Sequence, residues 1–195
     1  MNDFESLISA LLSYADDDHF QQAQRLSRIF EDFSQIAQQD YSYLSKLTSE
    51  NSAILLRVLA ALAKRRVTDS FKFNKEHTED ELIEYLKALY FDAPNETVYI
   101  LSLDAKDRIV SCDFVVEGTV NATEILPRKL IEILMKRDCK KAILVHNHPL
   151  GGSDPSDEDR RSTNSIRGIL KNANCEIVNH YVVAGDSVSC IYARS

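Results

Sequence analysis

The sequence predicts an α/β or α+β domain built on a β-sheet, preceded by a small all-α region. Before residue 67 the apolar side chains recur at helical spacing, whereas from Glu96 onward short β-rich runs alternate with helical segments. The five glycines all lie at or after Gly118, so the helical region has to turn without glycine. Three sets of apolar residues show the helical spacing: Phe4, Leu7, Ile8 and Leu11; Leu26, Ile29, Phe30 and Phe33; Leu55, Val58, Leu59 and Leu62.

The helical region is predicted to span residues 1–67 as a bundle of four short helices. Breaks are expected at residues 16–18, near 39–40 and at 48–51, where oxygen-bearing side chains can cap the next helix. The polar and aperiodic segment 68–79 is the predicted linker.

The second domain, residues 80–195, is expected to begin with a helix. The runs TVYILSLD and RIVSCDFVVEGTV then read as a hairpin, and a helix opened by Pro127 leads to the buried strand AILVH. A helix from Ser156 to Asn172 and two strands joined at Gly185 complete the domain. Because sites in such sheets form at the carboxyl ends of strands, the loop after AILVH is the expected location of a site.

Composition narrows the class of protein. With 44% hydrophobic and 27% charged residues, the chain is expected to be globular, and no segment has the apolar length of a membrane span or the layout of a secretory signal. The four cysteines are widely spaced, which favours reduced thiols and a cytoplasmic location. The net charge of −7 argues against broad attraction to nucleic acid.

The residues that indicate chemistry follow the strand AILVH. His146 and His148 alternate on an extended segment, so both imidazoles can face one metal ion, and Asp159 lies one turn into the next helix. Three protein ligands leave the fourth position of Zn²⁺ open, which is typical of a catalytic zinc. A His-x-His pair alone is common, however, and Ser156 with Asp159 also forms an acidic capping box that requires no metal.

These residues resemble a known motif. The pattern H-x-H-P-x-G, with seven residues between His148 and Ser156 and then S-x-x-D, is similar to the JAMM motif of JAB/MPN metalloproteases in their RadC-like form. The likeness covers roughly residues 80–195 and includes Gly118 to Asn121, Pro127-Arg128 and His180. It implies a mixed β-sheet flanked by helices, of the cytidine-deaminase-like type.

The resemblance also implies roles for individual residues. His146, His148 and Asp159 would hold Zn²⁺, Glu96 would act as general acid/base, and Ser156 would help to stabilise the oxyanion. Glu96 is preferred to Glu117 because it precedes the first strand. His180 is expected to be a hydrogen-bonded core residue or a partner of a ligand. The implied function is zinc-dependent hydrolysis of a peptide or isopeptide bond, with a peptide or protein as partner.

The sequence also departs from RadC-like chains. Leu150 replaces a small polar residue and Lys129 replaces an acid, which bears on substrate fit more than on metal binding. Helix-hairpin-helix regions of such proteins use a glycine-containing hairpin to meet DNA phosphates, whereas residues 48–51 contain no glycine and one acid. Residues 64–66 (Lys-Arg-Arg) are a possible phosphate contact or a solvated helix end. The name of the RadC-like family implies an alternative function, a non-catalytic or DNA-repair-associated binding or regulatory module on the same fold.

Overall fold

The computed structural model describes residues 3–118, 122–149 and 151–191, with residues 122–126 described as backbone only. Within these ranges a helical region precedes a five-stranded sheet that helices flank. The helices are α1 (Asp3–Leu12), α2 (His19–Ile29), α3 (Phe33–Ala37), α4 (Tyr41–Leu47), α5 (Glu50–Ser70), α6 (Glu79–Tyr90), α7 (Ala122–Lys136) and α8 (Asp157–Asn172). The strands are β1 (Thr97–Leu103), β2 (Ile109–Glu117), β3 (Lys141–Asn147), β4 (Glu176–Ala184) and β5 (Ser187–Cys190).

The helical region contains five helices in its described part, so the prediction of four was wrong. The additional helix, α3, is too short to produce a clear apolar period. Polar side chains start three of these helices, because Asp32, Asp40 and Ser49 each accept a hydrogen bond from a backbone N–H of the first turn. The helices share a core of buried residues: Ile8, Leu12, Ala23, Leu26, Phe30, Ile36, Leu44, Ala53 and Leu56.

The segment between α5 and α6 is irregular but packed. Helix α5 ends at Ser70, three residues after the predicted end of the bundle, and α6 begins at Glu79. Between them, the Phe71 ring stacks on Tyr85 and His77, with centroid distances of 4.2 Å and 3.9 Å. The division of the chain into a helical domain, a linker and a sheet domain stays a prediction. None of the described helices is long and apolar enough to cross a membrane.

The sheet has the order β2-β1-β3-β4-β5, and its pairings are antiparallel except for the parallel pair β3 and β4. This mixed, helix-flanked sheet confirms the predicted fold class. Helices α7 and α8 cover one face with α8 as the crossover from β3 to β4, and α6 covers the other. The central strand β3 ends at Asn147, at the predicted loop.

Two details of the sheet domain differ from a simple pattern. Pro127 lies inside α7 rather than at its start, so the prediction that it opens the helix was wrong. Proline is favoured in a first turn, but it marks no boundary where neighbouring residues continue the helix. The turn between β4 and β5 was predicted correctly, and Gly185 adopts a φ of 54° there, a conformation that glycine takes without a Cβ penalty.

Candidate metal centre

The three predicted metal ligands lie together. His146 Nε2 is 3.1 Å from His148 Nε2 and 3.2 Å from Asp159 Oδ1, and His148 Nε2 is 3.5 Å from Asp159 Oδ2. Among the described residues, these three form the group of His, Cys, Asp and Glu side chains that could hold an ion, with donor atoms within 4.8 Å of one another. His146 is buried, whereas His148 and Asp159 are half-buried.

Local structure accounts for this convergence. His146 is the sixth residue of β3 and His148 follows the last, so alternation of side chains places both imidazoles on the face covered by α7 and α8. The backbone N–H of His148 donates to Val183 O at 2.8 Å, which extends the pairing with β4 past the end of β3. Asp159 is in the first turn of α8, where the helix dipole favours a negative charge.

Asp159 is held by the predicted capping box. Its Oδ2 accepts hydrogen bonds from Ser156 N–H at 2.8 Å and Ser156 Oγ at 2.6 Å, while its own N–H donates to Ser156 Oγ at 3.1 Å. Burial acts to raise the pKa of Asp159, but its close polar contacts, which include two hydrogen bonds from Ser156, lower it, so that this pKa lies well below its ordinary value. Asp159 is therefore ionised at neutral pH, and Oδ1 is directed at His146.

A chain of hydrogen bonds determines the tautomer of His146. The Thr163 hydroxyl donates to Asp159 O at 2.6 Å, so it accepts from His180 Nδ1–H at 2.7 Å. His180 Nε2 is then an acceptor, and the bond of 2.8 Å to His146 Nδ1 has its proton on His146. His146 consequently presents a bare lone pair at Nε2. Burial also holds the pKa of His180 well below its ordinary value, which keeps this relay neutral.

His148 reaches the same state by a different contact. Its Nδ1 is 2.9 Å from Gly152 O, and because a carbonyl only accepts, His148 Nδ1 carries the proton and Nε2 is bare. Two lone pairs and a carboxylate oxygen thus face one another without a donor between them, in the neutral tautomers. Such a set of atoms repels itself unless a cation lies among them.

The donor set fits zinc. In a tetrahedral site with bonds of about 2.0–2.1 Å, neighbouring donor atoms lie about 3.3 Å apart. The separations of 3.1 Å and 3.2 Å from His146 Nε2 are close to that value. Two imidazole nitrogens and one carboxylate are ligands that Zn²⁺ accepts, and the further hydrogen bonds that both histidines make are typical of metal-ligating imidazoles.

Ser156, the residue predicted to stabilise an oxyanion, also has a structural role. Ser156 caps α8, and its hydroxyl donates a hydrogen bond to Asp159 Oδ2. Its side chain is therefore next to the ligand set and engaged with it. The prediction that Ser156 stabilises an oxyanion requires this hydroxyl to turn away from Asp159.

Glu96 lies at the rim of the same end of the sheet. It immediately precedes β1, is exposed, and accepts a hydrogen bond from Gly118 N–H at its backbone carbonyl (2.7 Å). Glu96 is outside the group of three candidate ligands. Glu117, the alternative general acid/base in the sequence, faces Thr97 across the hairpin and accepts a hydrogen bond from Asn95 Nδ2 at 2.7 Å.

Sequence reasoning missed one residue, Asn147. It lies between the two histidines, is 3% exposed, and points to the opposite face of β3, where its amide makes three hydrogen bonds. Strand alternation predicts the direction of this side chain, but no sequence signal indicates what it contacts. His180 was expected to be a hydrogen-bonded core residue or a partner of a ligand; it is buried and bonded to His146, a predicted ligand.

Further residues discussed from the sequence lie away from the ligand set or outside the described residues. Lys64 pairs with Asp92 at 2.5 Å and Arg65 with Asp69 at 2.9 Å, so both cations have intramolecular partners. Lys129 donates to Val115 O, at the sheet edge. Leu150, where RadC-like chains have a small polar residue, lies outside the described residues, as do Thr119, Val120 and Asn121.

A match to a protein-family model decides which family this chain belongs to. The model described as RadC-like JAB domain matches residues 77–194, which is more than half of the chain. The chain belongs to the RadC-like JAB domain family. The match contains all three candidate ligands, Glu96, Ser156 and His180.

Similar proteins carry the name UPF0758, which describes no reaction. A UPF0758 protein of Janthinobacterium sp. (strain Marseille) is 29% identical over 150 residues, or 76% of this chain and 66% of that protein. One from Idiomarina loihiensis is 32% identical over 136 residues, or 69% of this chain and 61% of that protein. The match therefore covers 61–66% of the length of these relatives.

Proposed function

We propose that this RadC-like JAB domain is a zinc-dependent hydrolase of JAMM type that cleaves a peptide or isopeptide bond. The observation that carries the proposal is a pair of bare imidazole nitrogens, 3.1 Å apart, that face the oxygens of an ionised carboxylate at 3.2 Å and 3.5 Å. Zinc held by His146, His148 and Asp159 would supply Lewis-acid activation of water and of a carbonyl. Three protein ligands leave room for a reactant, whereas structural zinc sites are usually closed by four.

The surrounding residues support proton transfer at this place. Glu96 is exposed at the end of the sheet that carries the histidines, and in the proposed reaction its carboxylate takes a proton from water and returns it to the leaving amine. The Ser156 hydroxyl donates a hydrogen bond to the developing oxyanion once it turns from Asp159 Oδ2. The half-buried His148 and Asp159 leave the ligand set open on one side, as a peptide or protein substrate requires.

The test of this function separates metal binding from chemistry. Zinc-loaded wild type and Glu96→Gln are compared on fluorogenic peptides and on lysine-isopeptide conjugates. Glu96→Gln is expected to keep the wild-type zinc content and to lose about 10²–10⁴-fold in kcat, the usual contribution of a general acid/base. Glu117→Gln, at the same end of the hairpin, is the matched control and should retain its rate. Full activity of Glu96→Gln would refute the role of Glu96.

One observation favours a second candidate, a binding module in which zinc is structural. The Ser156 hydroxyl is committed to Asp159, as it would be in a site that only holds metal. This alternative predicts stoichiometric zinc without zinc-dependent turnover of any conjugate. A DNA-repair-associated module would in addition bind DNA with a strong salt dependence that changes at Lys64, Arg65 and Arg66 weaken.

A further inference from the structure

The residue between the two histidines connects two parts of the site. Asn147 Oδ1 accepts a hydrogen bond from Thr97 N–H at 2.8 Å. Its Nδ2 lies 3.2 Å from Asn95 O and 3.4 Å from Ala93 O, and it donates to both carbonyls. A single buried amide on the metal-binding strand therefore binds the chain segment 93–97.

This segment carries Glu96, and the contacts of Asn147 fall on both sides of that residue. Thr97 is bound through its N–H and Asn95 through its carbonyl, so the backbone is held immediately before and after Glu96. The carbonyl of Glu96 itself accepts from Gly118 N–H at 2.7 Å. The backbone at Glu96 is thus fixed although its side chain is exposed.

The register of β1 and β3 relates the position of Glu96 to the two histidines. The pairing of β1 with β3 ends at Val98 opposite His146. Continued by two residues, the same register places Glu96 opposite His148 and on the same face of the sheet, because side chains two residues apart share a face. In the described ladder the β1–β3 pairs stop before Glu96. Beyond the last pair, the Asn147 side-chain amide provides the hydrogen bonds that connect the two chain segments.

We propose that Asn147 is a positioning residue, which holds the Glu96 segment in register with the two histidines. The inference rests on the proposed function, since it assigns Asn147 a role in aiming the general acid/base. One stretch of chain thus serves both purposes. His146 and His148 face the metal site on one side of the sheet, and Asn147 holds the backbone of the Glu96 segment from the other side.

The experiment uses the zinc-loaded full chain and the variant Asn147→Ala. Its zinc content should equal that of wild type, because neither imidazole depends on Asn147. Amide exchange at Thr97 should be at least about 10-fold faster, as expected when the buried hydrogen bond that protects this amide is lost. On a substrate that wild type cleaves, kcat should fall about 10²-fold with little change in KM, the size expected for misplacement of a catalytic group.

Two further variants isolate the role. Tyr90→Phe is the matched control, because the Tyr90 hydroxyl donates to Val145 O at 2.9 Å on the same face of the same strand but does not bind segment 93–97 through its side chain. It should leave Thr97 exchange and kcat unchanged. In a Glu96→Gln background, Asn147→Ala should cause no additional loss of kcat, since Asn147 acts through Glu96.

Asn147→Asp keeps the proposal testable if the alanine variant does not fold. A carboxylate still accepts from Thr97 N–H but cannot donate to Ala93 O and Asn95 O, so Thr97 should stay protected while kcat falls. Unchanged Thr97 exchange in folded Asn147→Ala, or a kcat loss that persists without Glu96, would overturn the role of Asn147. If wild type cleaves no substrate, the proposed function fails, whereas zinc content and Thr97 exchange still decide whether Asn147 positions the segment.

Discussion

Buried polar side chains are arranged differently in the helical region and in the sheet domain. In the helical region they bind helix ends: Gln22 Oε1 accepts from Ser49 N–H at 3.2 Å, and Thr48 Oγ1 donates to Leu44 O at 2.9 Å. In the sheet domain, Thr163, His180 and His146 form one chain of hydrogen bonds that ends at the candidate metal centre.

The difference shows which polar groups the fold itself requires. A helix leaves its first N–H and last C=O groups unpaired, so polar side chains at its ends complete the secondary structure. Strand β3 is already paired with a strand on each side, and nothing in its backbone requires a histidine at position 146. A buried polar side chain that no unpaired backbone group needs as a partner is therefore the better indicator of a functional site. Four predictions test this distinction.

Removal of a ligand should have the largest effect. His148→Ala leaves one imidazole and one carboxylate, and we expect zinc to fall from about one ion per chain to near zero, together with any zinc-dependent turnover. Elemental analysis of protein purified without chelator measures this. Wild-type zinc content in His148→Ala would contradict the assigned ligand set.

Removal of the His180 acceptor should weaken the site without abolishing it. His180→Leu deprives His146 Nδ1–H of its partner, so the tautomer that presents Nε2 is no longer fixed. Zinc affinity should decrease about 10–100-fold, as is usual when a hydrogen-bond partner of a metal ligand is lost. Competition with a chromophoric chelator measures the affinity, and an unchanged value would show that His180 is only a core residue.

The same histidine should make stability depend on pH in the zinc-free protein. Burial lowers the pKa of His180 in the folded state, whereas an unfolded histidine titrates near 6.5. As pH falls below about 6.5, the unfolded chain binds a proton that the folded chain does not, so stability present above that pH is lost at up to about 1.4 kcal/mol per pH unit. Urea unfolding of wild type and His180→Leu between pH 7.5 and 5.5 measures this, and equal slopes would refute it.

The smallest effects are expected at two serine N-caps, which allow a direct comparison of the two regions. Ser49 starts α5 in the helical region and Ser156 starts α8 beside the ligands. Each serine-to-alanine change should cost about 1 kcal/mol of unfolding free energy. Only Ser156→Ala should also weaken zinc binding, by about 10-fold, because Ser156 holds Asp159. Equal zinc affinity in both variants would mean that the cap does not serve the metal.

Parts of the fold and site could be predicted because they depend on local rules. The alternation of a strand places His146 and His148 on one side, and a capping box places Asp159 at the start of α8, as the structure shows. The short helix α3 and the position of Pro127 inside α7 were not predicted, because five residues show little periodicity and a proline is a weak boundary signal.

The sequence by itself determined the family resemblance, the mixed helix-flanked sheet expected from it, and the three side chains that could meet at the end of β3. It did so because helix caps and strand alternation act over a few residues. Only the tertiary structure decided two further features. One is the chain of hydrogen bonds from Thr163 through His180 that sets the tautomer of His146, and the other is the set of hydrogen bonds from Asn147 to the segment that contains Glu96. Those contacts join residues 17–54 positions apart, which no local pattern encodes.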